Sequence, residues 1–141
     1  MSPMAAKDFT TFAKAELRAA LNDQAHIQGE WTGKSGIVWA RFPLADGVFG
    51  YWLLQRRSLS EMRAEVAISR GERNPGEFFG TSPSGLDGYR ARASDIAAVH
   101  DWWPAQSTDE VRSSTEALLG ALQGSAPAFY VQMRPLLATG V

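Results

Sequence analysis

Residues 48–69 read VFGYWLLQRRSLSEMRAEVAIS, and this stretch predicts two neighbouring strands of a β-sheet. From Val48 to Leu54 both alternating sets of side chains are apolar, which is typical of a central strand covered on two sides. After the Ser-Leu-Ser break at 58–60, apolar residues alternate with charged or small ones as far as Ile68. This alternation predicts a second strand with one face towards the core and the other towards water.

Turn residues on the amino-terminal side extend this pair into a meander. Residues 27–32 alternate with a period of two, and a turn at 33–36 separates them from an apolar run at 37–42. Asp46-Gly47 then separates that run from the strand at 48–57. Both junctions are typical of β-hairpins, so the sequence predicts four antiparallel strands in chain order.

A helix is predicted before the meander. Ser2 followed by Pro3 has the pattern of an N-cap with proline at the first helical position. Apolar residues then recur at helical spacing from Phe9 to Leu21, so the helix is predicted to end near Asn22.

Helical patterns return at the carboxyl end. Ser107 and Glu110 have the spacing of a capping box, and an apolar stripe follows them. Gly124 is predicted to stop this helix, and Pro127 to lie at the start of a last one.

Residues 70–88 form the irregular region of the chain. They hold five glycines and two prolines, too many for regular structure, and a loop of this length is uncommon unless it is functional or mobile. Residues 89–92 are predicted to return as a short fifth strand, and residues 93–100 to form an irregular or short helical crossing. The predicted fold class is therefore α+β, with one antiparallel sheet of four or five strands packed on one face by the N-terminal and C-terminal helices.

The composition limits the class of protein. With 141 residues, 45% apolar and 21% charged, the chain is predicted to be a single domain, residues 1–141. No stretch has the length of a membrane span or the pattern of a secretory signal, so we expect no membrane partner and a cytoplasmic location. The absence of cysteine excludes thiolate catalysis and zinc sites built on cysteine.

The charges are nearly balanced. Fourteen basic and fifteen acidic residues give a net charge of -1, so general attraction to phosphate backbones is not predicted. Residues 34–92 nevertheless carry nine basic and six acidic side chains, and most of the chain's basic residues are arginine. The neighbours Arg56 and Arg57 point to opposite faces of a strand, which weakens a nucleic-acid interpretation. We predict no nucleic-acid partner and expect most charges to pair within the molecule.

Several partial catalytic patterns occur in the sequence, and each is incomplete. Gly71 to Gly76 has the glycine spacing of a P-loop but lacks its lysine and hydroxyl residue, and residues 80–84 lack the second glycine of a nucleophile elbow. His26 and Glu30 share a sheet face, where they form either a base with its orienting partner or a surface contact. His100-Asp101 has no further metal ligand nearby. We therefore predict no catalytic residue, no metal site and no cofactor.

Aromatic and arginine side chains remain as candidates for binding, because these types are enriched at binding hot spots. In an extended segment Trp102 and Trp103 cannot both point inward, so one is expected to cap the core while the other reaches a surface or a partner. Phe78-Phe79 either plugs the open end of the sheet or contacts a ligand. The candidate binding residues are Arg73, Phe78, Phe79, Arg90, Arg92, Trp102 and Trp103.

Several segments resemble, in order and spacing, a family of small, mostly bacterial domains of unknown function. They are the opening Phe-x-x-Phe-x-Lys-x-Glu-Leu of residues 9–17, the strands Gly50 to Gln55 and Ala64 to Ser69, the Tyr-Arg-x-Arg of 89–92, the Trp pair, and the Leu-rich helix followed by Ala126-Pro127-x-Phe129. In layout the chain also resembles immunity proteins of bacterial toxin systems. The resemblance implies the same helix, meander and helix, and its motifs are structural rather than catalytic.

Three functional hypotheses follow. The leading one is an interaction protein with no catalysis of its own, of which an immunity-type inhibitor acting through charge complementarity and aromatic anchors is one form. The alternative is a binding module or enzyme for an anionic small molecule, with a pocket between the 70–88 loop and the sheet, Arg90 or Arg92 on the anion and Trp102 stacked on it. The third is a homodimer that hides a sheet edge or an exposed tryptophan.

Overall fold

The computed structural model describes residues 3–21, 25–45, 47–75 and 88–138. The elements in chain order are α1 (Ala6–Ala20), β1 (His26–Thr32), β2 (Ser35–Ala45), β3 (Val48–Arg57), β4 (Glu61–Arg70), β5 (Gly88–Arg92), α2 (Ala93–Ile96), β6 (Trp103–Pro104) and α3 (Thr108–Ala138).

The strands form one antiparallel sheet in the order β1-β2-β3-β4-β5, and the two residues of β6 pair with the start of β4. Glycines with positive φ, Gly33 and Gly47, lie in the first two hairpin turns, where a side chain would strain the backbone. Residues 51–54 of β3 are all buried, in agreement with its predicted central place. The α+β meander with an N-terminal and a C-terminal helix is therefore confirmed.

Both long helices pack on the same face of the sheet. Phe9 and Leu17 of α1 and Leu118 and Leu122 of α3 belong to one buried cluster with the alternate side chains of the inner strands. The other face carries a smaller buried cluster of Trp39, Tyr51, Leu53 and Ala67. We call this second surface the helix-free face.

The helix-free face of β4 differs from the prediction. It was expected to meet water, but Glu65, Ala67 and Ser69 are buried. Burial of Glu65 is tolerated because Arg90 of β5 forms a salt bridge with it. Ser69 is satisfied by the hydroxyl of Tyr51 on the neighbouring strand, at 2.7 Å. The prediction was wrong because both partners come from other strands.

The start of α1 also differs from the prediction. Pro3 does not begin the helix, and the N-cap is Ala5, which makes no side-chain capping bond. The Met4 N–H donates instead to the Gln106 carbonyl at 2.8 Å, so this segment is tied to the chain before α3. Ser2, the predicted cap, lies outside the described residues.

Helix α3 runs through its predicted stop. It continues past Gly124 and contains Pro127 and Pro135. The capping box at its start is present. Glu110 N–H donates to Ser107 Oγ at 3.2 Å, and Ser107 N–H donates to Glu110 Oε1 at 3.3 Å. Gly124 and Pro127 are exposed, so the missing N–H of the proline falls on the solvent side of the helix. The buried stripe continues unbroken on the other side through Leu118, Leu122, Ala126, Phe129, Met133 and Leu137. Packing of that stripe outweighs the local breakers.

Among the helices in the described parts of the chain, none combines the length and apolar character that crossing a membrane requires.

Candidate binding surface

The described candidate residues do not gather around one cavity. Arg90 and Arg92 are alternate residues of β5, so both side chains lie on the helix-free face of the sheet. Trp102 lies over two arginines of that same face, whereas Trp103 packs against the main core. Phe78 and Phe79 lie outside the described residues.

Arg90 is engaged within the protein. Its Nε and Nη2 donate to the two carboxylate oxygens of Glu65, each at 2.7 Å, and its Nη1 donates to the Pro75 carbonyl at 3.2 Å. Both charged side chains are buried. A ligand anion at Arg90 would therefore have to compete with a bidentate carboxylate in a desolvated place.

Arg92 is exposed and is held by two acidic side chains. Its Nη1 donates to Asp101 Oδ2 at 3.1 Å, and its Nε lies 3.7 Å from Asp95 Oδ2. The hydrogen bond and the charge of Asp101 raise the pKa of Arg92. Both acidic neighbours therefore favour the charged form of this guanidinium.

Asp101 joins Arg92 to a third arginine. Its Oδ2 also accepts from Arg63 Nη1 at 3.3 Å. Its Oδ1 is buried and makes no hydrogen bond, and neither does Arg63 Nε. In the network between β4, β5 and the segment before β6, some buried donors and acceptors therefore have no hydrogen-bond partner among the described residues. The Arg90–Glu65 pair differs in this respect.

Trp102 provides the aromatic part of this surface. The Cζ atoms of Arg57 and Arg63 lie 3.8 and 4.5 Å from the centroid of its ring, within the range of cation–π attraction. Trp103 points the other way, and its Nε1 donates to the His100 carbonyl at 2.7 Å. The two half-buried tryptophans lie on opposite faces, with Trp103 against the main core and Trp102 on the helix-free face, as the extended segment predicts.

The backbone of Arg73 is hydrogen-bonded to the hydroxyl of Tyr51. Its N–H donates to the Tyr51 hydroxyl at 3.0 Å, and the same hydroxyl donates to the Arg73 carbonyl at 2.9 Å. Arg73 Nε lies 3.4 Å from the Arg70 carbonyl. These bonds fix the segment after β4 on the helix-free face, beside the buried Tyr51.

Each of the two histidines contacts a tryptophan ring. His26 lies against the ring of Trp39, with centroids 5.8 Å apart, and no hydrogen bond joins it to Glu30. His100 contacts Trp103 edge-on at 6.0 Å. Over the described ranges, no three His, Asp or Glu side chains come together in a group that could hold a metal ion.

Four residues of this surface were missed as site residues: Arg57, Arg63, Glu65 and Asp101. Sequence reasoning singled out the arginines of β5 but not the acids that pair with them. A signal existed in Glu65, the acidic residue in the otherwise apolar or small run from Ala64 to Ser69. A carboxylate at such a position requires a cationic partner on an adjacent strand.

We call the part of this network outside the buried Arg90–Glu65 pair the Arg–Trp patch, comprising Arg57, Arg63, Arg92, Asp101 and Trp102. The side chains of Arg57 and Arg92 are 49% and 51% exposed and are open to a partner, whereas those of Arg63 and Asp101 are 20% and 25% exposed. The clefts formed by described residues lie elsewhere. One of about 690 Å³ lies between α1 and α3, one of about 160 Å³ lies at the β1–β2 hairpin, and two of about 420 Å³ each lie beside Trp103.

Comparisons with protein-family models, with curated proteins and with solved structures found no match. The resemblance to small bacterial domains therefore stays a prediction.

Proposed function

We propose that this chain is a non-catalytic interaction protein that binds a partner protein through the Arg–Trp patch, with an immunity-type inhibitor as the specific form. The observation that carries the proposal is the position of the half-buried Trp102 on the helix-free face, with the guanidinium groups of Arg57 and Arg63 over its ring. Tryptophan and arginine are the residues that most often dominate the binding energy of protein interfaces.

The patch is preorganised before any partner arrives. Arg63 and Arg92 are both held by Asp101, and Arg57 is held by Glu61 at 3.0 Å. Ordering a long side chain on binding costs about 0.5–1.5 kcal/mol, so arginines that are already ordered favour association.

Charge balance favours a protein partner over a simple anion. Four arginines (Arg57, Arg63, Arg90, Arg92) are paired with four acids (Glu61, Glu65, Asp95, Asp101). A surface that presents both signs close together attracts a complementary pattern of charges better than it attracts any single anion. The same balance weakens the anionic-ligand alternative, since Arg90 is committed to Glu65.

The experiment compares the proteins retained by the immobilised full chain and by its variants from a lysate of its source cells. Trp102→Ala and Arg63→Ala should each weaken the binding of a protein that the parent chain retains. We expect its affinity to fall by about tenfold, because each substitution removes a hot-spot side chain. Arg112→Ala and Val131→Ala are the matched controls, because Arg112 is an exposed, ion-paired arginine and Val131 an exposed apolar residue, both on α3.

Circular dichroism should show that all four variants remain folded. A retained protein that survives both patch substitutions, or that is lost equally with the two controls, would contradict the proposal. So would the absence of any protein retained by the parent chain.

A further inference from the structure

Strand β1 leaves one edge of the sheet open. Among the described residues it pairs with β2 alone, and five of its seven residues are exposed. At the opposite border of the sheet, four of the five residues of β5 are buried. The two borders are therefore unlike, and β1 is the accessible one.

The open edge presents unpaired backbone groups. In an antiparallel edge strand, every second residue turns its N–H and C=O away from its single neighbour. Natural edge strands are commonly protected by proline, lysine or a bulge. β1 contains none of these three, pairs with β2 in continuous register, and carries Trp31 with 49% of its surface exposed. This edge has the chemistry that an added strand requires.

A stripe of basic residues on α1 flanks the edge. Lys7, Lys14 and Arg18 are spaced by seven and four positions, so they share one side of the helix. Lys14 Cε lies only 2.8 Å from the place that a Cβ on Gly29 would occupy, so the end of its aliphatic stem lies over the central residue of β1. Lys7 and Lys14 form no ion pair in the described part of the chain. We call these three residues the basic stripe.

The basic stripe argues against a second copy of the chain as the occupant. Antiparallel pairing of β1 with its own copy about a twofold axis near Gly29 would bring Lys14 against Lys14 of the copy. Each basic stripe would then meet the other. Glu30 cannot neutralise them, because alternate residues place its side chain on the helix-free face while Lys14 lies on the helix side.

We propose that the β1 edge binds an extended segment of a partner protein by strand addition, with acidic side chains of that segment on the helix side, facing the basic stripe. The backbone groups of β1 supply affinity, and Lys14 selects for carboxylates. The absence of a side chain on Gly29 lets Lys14 lie low over the strand, within reach of the added one. This inference does not rest on the Arg–Trp patch, which lies near the other border of the sheet and on its other face.

The probe is a blocked nonapeptide of alternating threonine and glutamate, compared with one of alternating threonine and lysine. Each is titrated into the full-length, isotope-labelled protein and followed by amide chemical shifts and by hydrogen exchange. The glutamate peptide should shift and protect amides of β1, and the lysine peptide should not. Lys14→Glu should weaken the glutamate peptide by about tenfold and strengthen the lysine peptide.

Three further variants complete the design. Lys14→Met keeps the stem over Gly29 and removes the charge, so it should weaken the glutamate peptide by about fivefold without strengthening the lysine peptide. Arg134→Glu, on the exposed side of α3, changes the net charge by as much as Lys14→Glu does. It should leave the affinities for both peptides within about twofold of the parent values. Trp102→Ala should have no effect, which separates this test from that of the proposed function.

Three results would overturn the inference. The first is a glutamate peptide that does not bind or binds away from β1. The second is binding that Lys14→Glu and Arg134→Glu weaken equally. The third is a concentration-dependent doubling of mass in light scattering together with protection of β1 amides. That result would mean that a second copy of the chain occupies the β1 edge.

Discussion

Arg90 and Glu65 form a bidentate ion pair that is buried between β4 and β5, with both N···O distances at 2.7 Å. The pair explains how a strand with a charged residue in its middle is buried on both faces. The remaining guanidinium nitrogen Nη1 donates to the Pro75 carbonyl, so the charge is satisfied on both sides. The pair therefore belongs to the structure of the sheet rather than to its exposed surface.

Breaking this pair should destabilise the protein strongly. Arg90→Met and Glu65→Leu should each lower the free energy of unfolding by about 3 kcal/mol, because each leaves an uncompensated buried charge. The double variant should recover much of that loss, since neither charge is then buried alone. Urea unfolding of the parent, both single variants and the double variant gives the coupling energy. Additive losses in the double variant would show that the pair is not desolvated.

Arg56 holds together three parts of the chain on the opposite face of the sheet. Its side chain is fully buried and donates to the carbonyls of Ala105, Met4, Gln106 and Leu59, at 2.8, 2.7, 3.2 and 3.3 Å. Desolvation by burial lowers the pKa of Arg56. The guanidinium thus ties the N-terminal segment and the segment before α3 to the β3–β4 turn.

Arg56→Lys should therefore cost stability despite keeping the charge. A single ammonium cannot reach four carbonyls in different directions, so the free energy of unfolding should fall by about 2–3 kcal/mol. The neighbour Arg57 is exposed and offers a matched control, and Arg57→Lys should change the same quantity by less than about 0.5 kcal/mol. Equal losses in the two urea-unfolding experiments would refute the role given to Arg56.

Much of the sheet could be predicted from sequence because hairpins and alternation are local signals. The turns at Gly33 and Gly47 and the central place of β3 follow from residues close in the chain. The end of α3 could not be predicted, because Gly124 and Pro127 are breakers only when packing does not hold the other side of the helix. In this chain the buried stripe continues past both residues.

The candidate surface was predictable in residue type and not in pairing. Trp102 and Arg92 stand out in the sequence as candidate binding residues. Which acid meets which arginine depends on strand register and on the path of the segment before β6. Asp101, which joins Arg63 to Arg92, is adjacent in sequence to Trp102 and lies 38 positions from Arg63 and nine from Arg92. No local pattern indicates such a contact.

Two glycines should respond to alanine in opposite ways. A Cβ on Gly50 would lie 2.8 Å from Phe42 Cε2 and 3.0 Å from Tyr130 Cζ, whereas one on Gly124 would meet nothing within 4 Å. Gly50→Ala should lower the free energy of unfolding by about 1–3 kcal/mol through overpacking of aromatic rings. Gly124→Ala should raise it by about 0.5–1 kcal/mol, because alanine is the better helix former. Thermal and urea unfolding should agree on both signs, and destabilisation by Gly124→Ala would mean that this helix face is not open.

Stability should fall at alkaline pH through Tyr130. Its hydroxyl donates to the Tyr51 carbonyl at 3.2 Å, and burial raises the pKa of Tyr130. The unfolded chain releases this proton near pH 10 while the folded chain keeps it, so the contribution is complete below pH 10 and is lost as the pH rises above it. Between pH 9 and 11 the loss should be about 1 kcal/mol. Tyr130→Phe should remove this part of the pH dependence, although at pH 7 it loses the hydrogen bond and about 1 kcal/mol. Urea unfolding of both proteins across this range measures the difference, and parallel pH curves would show that the phenol ionises as readily in the folded protein as in the unfolded chain.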